Sequence, residues 1–87
     1  MAKTATPFGP AVLVERVSLP QSAGDKRFTS HIELLETERG DRLVRVAYST
    51  DGAVRRGPVT FRARDLRRLR GALAKTPILA ALLAEVA

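Results

Sequence analysis

Apolar and polar residues alternate from Arg27 to Glu36, with Phe28, Ser30, Ile32 and Leu34 on one side and Arg27, Thr29, His31, Glu33 and Leu35 on the other. That two-residue period is the signature of a strand, because successive side chains of extended backbone point to opposite faces. The alternation returns from Arg42 to Thr50, where Val44, Val46 and Tyr48 oppose Leu43, Arg45, Ala47 and Ser49. Earlier in the chain, Val12, Val14 and Val17 with Leu13 predict a first strand over Ala11 to Ser18, ended by Pro20 and the turn chemistry of Gln21 to Asp25. Thr37 to Asp41 supplies the next reversal. Asp51-Gly52 supplies the one after, since glycine tolerates the positive φ of a two-residue hairpin. The fourth run, Ala53 to Ala63, is split by Gly57-Pro58, which predicts a bulge or an edge position.

From about Ala63 the period lengthens to 3.6, with Leu66, Leu69 and Leu73 on one stripe and Arg67, Arg68 and Arg70 away from it. Thr76-Pro77 reads as an N-cap followed by proline at the first helical position, so a second helix starts there or the first one kinks. Met1 to Pro10 has no apolar period and reads as a flexible N-terminal tail ahead of a single domain over 11–87. The expected fold is α+β: a four-stranded antiparallel meander followed by one or two C-terminal helices. So short a chain buries little core, and the apolar tail from Ile78 to Val86 exceeds what one small sheet covers. Homodimerisation through the helices answers this, with Leu69, Leu73, Leu79, Leu82 and Leu83 at the interface and the other sheet face free. The alternative is that the last helix folds back on its own sheet.

Composition narrows the chemistry. The 87 residues include no cysteine and one histidine, which excludes disulfides, thiolate metal sites and a multi-histidine centre within one chain. No cofactor or metal is expected. The uncharged stretch from Thr4 to Val14 is broken by Pro7, Gly9 and Pro10, so it predicts neither a signal segment nor a membrane span, and a cytoplasmic protein without membrane contact is the expectation. His31 has no Gly-x-Ser-x-Gly turn to serve. Glu33 and Glu36, three apart on a strand, point to opposite faces and make no carboxylate pair. An enzyme is not expected.

Charge carries more information. Lys and Arg number 15 against 9 Asp and Glu, a formal charge of +6. Nine arginines lie between positions 42 and 70, namely 42, 45, 55, 56, 62, 64, 67, 68 and 70, against Asp51 and Asp65, so the surplus concentrates on the third and fourth strands and the first helix. Twelve of the fifteen cations are arginine, whose planar guanidinium contacts phosphate bidentately and stacks on bases. The same surplus also suits a merely solvated surface. Aromatic residues are few: Phe8 lies in the tail, Phe28 and Phe61 fall on apolar strand faces, and Tyr48 is the best candidate for base stacking. Arg42, Arg45, Tyr48, Arg55, Arg56, Arg62 and Arg64 form the candidate nucleic-acid surface, with phosphate contacts dominating and little sequence readout.

The segment from Arg42 to Phe61, leading into Asp65-Leu66-Arg67-Arg68-Leu69, resembles the positive cofactor 4 family of transcriptional coactivators. The resemblance spans roughly residues 27–75. It rests on a basic-apolar strand, a glycine turn, the Arg55-Arg56 patch followed by Gly57, the strand residues Val59 and Phe61, and the helix stripe of Leu66 and Leu69. It implies a dimer of curved four-stranded sheets held by C-terminal helices, binding single-stranded or melted DNA as a transcriptional cofactor. The competing expectation is a dimeric protein–protein interaction module without nucleic-acid binding.

Overall fold

The computed structural model describes residues 3–51, 53–54 and 58–86. The chain runs β1 (Lys3–Thr4), β2 (Ala11–Ala23), β3 (Lys26–Thr37), β4 (Arg42–Thr50), β5 (Ala53–Val54), β6 (Val59–Arg62), α1 (Ala63–Leu73), α2 (Pro77–Leu83) and a terminal 3-10 turn, Ala84–Val86. All strand pairings are antiparallel, in the order β1-β2-β3-β4, and both β5 and β6 lie along the outer edge of β4. The architecture is α+β, with β5 and β6 as the two halves of the interrupted fourth run.

The reversals follow local chemistry. Gly24 has φ 62° in the two-residue turn between β2 and β3, and Gly40 has φ 84° in the turn between β3 and β4. Asp51 itself takes φ 53° at the β4–β5 hairpin, where Thr50 pairs with Ala53. The first strand is longer than its sequence suggests: β2 continues through Pro20, which sits opposite Thr29, to Ala23. Beyond Val12 nothing pairs on the far side of β2 among the described residues, and an edge strand tolerates the missing N–H.

Residues 3–10, expected as a flexible tail, are joined to the domain instead. Lys3 and Thr4 pair with Val12 and Ala11. Thr6 then folds a turn: its carbonyl accepts from the Gly9 N–H at 3.1 Å and its hydroxyl accepts from the Phe8 N–H at 3.0 Å. Gly9, at φ 103°, makes that turn possible. Phe8 thereby packs against the core of Ala11, Leu35 and Leu43, with Leu13 beside it.

One sheet face holds this core. Leu35, 0% exposed, lies between Leu13 and Leu43, and Glu33, Arg45 and Thr60 follow in the next row. The register shift between Leu13 and Glu15 brings both Leu13 and Arg16 to that face, three residues apart. The sheet is curled around it. The Arg45 guanidinium on β4 donates to the Thr4 hydroxyl on β1 at 2.9 Å, whereas three strand spacings in a flat sheet would separate them by about 14 Å.

The opposite, outer face is apolar yet open. Val17, Ile32, Val46 and Val59 pair across four strands as one row, each between 42% and 61% exposed. The helices do not cover it. No residue of α1 or α2 is fully buried, and among the described elements α2 packs only against α1 and the terminal turn, not back on its own sheet. Ile78 is 87% exposed and Leu82 69%. The radius of gyration, 14.5 Å, exceeds the roughly 12 Å expected of a compact chain of this length.

Candidate nucleic-acid interface

Arginine behaves differently within the core face and at the end of the sheet. Arg45, on the core face, is engaged within the fold: its Nε donates to Glu33 at 2.7 Å, and its side chain is 15% exposed. Arg16 donates to the other oxygen of Glu33 through Nε at 2.8 Å and Nη2 at 2.6 Å. Burial alone would push the Glu33 carboxyl up, but hydrogen bonds from Arg45 and then Arg16, with their charges, hold it below its ordinary value. Arg45, expected in the nucleic-acid surface if its face is the free one, lies on the core face and is paired there. Cross-strand pairing with a buried carboxylate takes up its charge.

His31 sits in the neighbouring row. Its Nδ1 and Nε2 each lie 2.8 Å from a serine hydroxyl, Ser18 and Ser49 respectively. This is a polar ladder across β2, β3 and β4.

Five other arginines converge. Arg39 from the β3–β4 turn, Arg42 from the start of β4, Arg62 from the end of β6, and Arg64 and Arg67 from α1 line one hollow of about 350 Å³. Phe8, Leu43 and Ala63 contribute its apolar lining, and Thr37 and Asp41 complete it. The hollow exists because the N-terminal turn, the β3–β4 turn and the β6–α1 junction all meet at the end of the sheet where Leu43 is buried. Of the surface expected from sequence, Arg42, Arg62 and Arg64 are brought together here. Arg55 and Arg56 lie outside the described residues.

Arg62 organises the junction. It holds extended backbone at the N-cap of α1, and its N–H donates to the Asp65 carboxylate at 3.0 Å. Its guanidinium meets both oxygens of the same carboxylate, at 2.9 and 3.1 Å. The hydrogen bond from the Arg62 side chain, then that from its backbone, lowers Asp65 to about 2. The Arg62 guanidinium also lies 4.8 Å above the Phe8 ring, a cation–π contact. Among the described residues Arg39 and Arg42 keep only long, exposed ion pairs, to Asp41 at 3.7 Å and Glu36 at 3.9 Å. Arg64 and Arg67 have no carboxylate within ion-pair distance among the described residues.

Tyr48 is not part of this hollow. It projects from the outer face, about half exposed, with its ring edge-on to Phe28 at 6.2 Å. It lies six positions along β4 from Arg42, about 20 Å of strand. The aromatic that does reach the arginines is Phe8, and its signal in the sequence was the Thr6-Pro7-Phe8-Gly9 turn.

Among the described residues no helix is long and apolar enough to cross a membrane. Comparison with family models, curated proteins and solved structures finds no match to the chain.

Proposed function

We propose that the protein is a homodimeric nucleic-acid-binding module of the cytoplasm that holds single-stranded DNA by its phosphates, with little sequence readout. The observation that carries this reading is the convergence of five arginines on one hollow whose only acidic lining residue, among the described residues, is Asp41. Guanidinium forks recognise phosphate oxygens in any sequence, and a site with a single aromatic has few groups to read base edges. Kinship with the positive cofactor 4 coactivators, and a role as a transcriptional cofactor, belong to the same proposal; the sheet-then-helix order from β2 to α1 supports it. Anisotropy titrations with single-stranded DNA, duplex and RNA of one sequence test the function. Tightest binding to the single-stranded DNA is expected, and no detectable binding to any of the three at low salt would overturn the reading.

Dimerisation is supported by the helices, which carry Leu69, Leu73, Leu79, Leu82 and Leu83 without burying any of them fully. Leu82 touches too little of its own chain for its loss to disturb the fold. Leu82→Glu should sediment as a folded monomer at micromolar concentration where the parent is a dimer. A parent monomer, or a dimeric variant, would count against the helices as the interface.

One observation favours a second reading, a dimeric protein–protein interaction module without nucleic acid. The exposed row of Val17, Ile32, Val46 and Val59 is a contiguous apolar strip of the kind partner proteins cover.

A further inference from the structure

We propose that the arginine hollow is an anchor for a terminal phosphate, so that a phosphomonoester dianion at the end of a strand docks against Arg64 and Arg67; this rests on the nucleic-acid reading above. Both side chains are exposed, line the same hollow, and lie three residues apart on α1, where neighbours share one side of a helix. Like charges at that spacing repel. Arg64 is also in the first turn, at the positive end of the helix dipole, where a cation is disfavoured.

The acid that could relieve them is already held. Asp65, the first-turn carboxylate of α1, is bonded by the Arg62 side chain and backbone and flanked by Arg68 at 3.7 Å. Two guanidinium charges thus border a space of about 350 Å³ with no carboxylate within ion-pair distance of either among the described residues, the one acid in the lining, Asp41, being paired with Arg39 at 3.7 Å. An anion in the hollow supplies what is missing. Its charge is decided by the number of unneutralised arginines: a phosphodiester within a strand carries one negative charge, whereas a phosphomonoester carries close to two near neutral pH. Its place is decided by the lining. Leu43 and Thr37 are buried and close the hollow on the sheet side, which suits the end of a strand better than a strand running through.

The full chain is titrated in 0.1 M salt with one single-stranded oligonucleotide carrying a 5′-phosphate, a 3′-phosphate or hydroxyls at both ends, and separately with inorganic phosphate. A phosphorylated end should bind about 25-fold tighter than the hydroxyl form, given roughly 0.7 of a logarithmic unit for each of two phosphate charges neutralised at this salt. Arg64→Gln/Arg67→Gln should erase the preference while the variant melts as the parent does, and Arg64→Lys/Arg67→Lys should keep part of it. Equal affinity for phosphorylated and hydroxyl ends would overturn the anchor and leave nucleic-acid binding standing. Absence of binding to every oligonucleotide would overturn both. Inorganic phosphate binding as tightly as the phosphorylated strand would identify free phosphate as the ligand and overturn a strand anchor.

Discussion

Replacing Glu33 by alanine should cost about 3 kcal/mol of stability, the lower end for a buried pair, because it leaves the largely covered Arg45 guanidinium without its counter-charge. Glu33 is 3% exposed and accepts three hydrogen bonds, two from Arg16 and one from Arg45. Arg16 is half exposed and can turn to water; Arg45 keeps only the Thr4 hydroxyl. Thermal melting of the variant should fall by at least about 12 °C, at 4 °C or more per kcal/mol for a chain of this size. A loss below about 1 kcal/mol would mean that water reaches the site. The sign of the pH dependence follows from the lowered pKa of Glu33. Its contribution is fully present above the ordinary value of 4.5 and is lost as pH falls through the lowered one, so acid unfolding should be less steep in Glu33→Ala. Replacing the pair by Leu and Met together should recover much of the loss, since apolar side chains of similar volume do not carry the desolvation penalty.

Arg39→Glu/Arg42→Glu should weaken binding to single-stranded DNA about 100-fold at 50 mM salt and make the salt slope shallower by about 1.4, from 0.7 per phosphate contact. At that salt each lost contact is worth about tenfold by the same relation, and reversal adds repulsion. These two are chosen over Arg62, whose hydrogen bonds to Asp65 fix the start of α1. Their own ion pairs are exposed and long, so the melting temperature should hardly move. Binding and slope unchanged in this folded variant would take the hollow out of the interface.

Strand faces were legible because alternation reports geometry directly: Leu34 and Leu35, or Val44 and Leu43, divide between faces as the period requires. The reversal at Asp51 and the helix start at Pro77 were legible because backbone chemistry acts within a few residues. The extension of β2 through Pro20 was not, since whether proline stops a strand depends on whether a neighbour asks for its N–H. Which face is inside was hidden too. Both carry apolar residues, and the choice is made by Phe8 folding over Leu35 and Leu43 from a segment with no period. The role of Arg45 needs the register that sets Glu33 opposite it. Arg39 joins the site only once the β3–β4 turn is brought beside α1, a contact between residues far apart in the chain.

The central claim, that the arginine hollow neutralises nucleic-acid phosphates, is tested most directly by the affinity of the unmodified protein for a single-stranded oligonucleotide measured from low to physiological salt. Neutralisation by Arg39, Arg42, Arg64 and Arg67, with Arg62 held by Asp65, predicts a straight line of log affinity against log salt with slope about −2.8, at −0.7 per phosphate. Binding that is absent at low salt, or whose slope is flat, would contradict it.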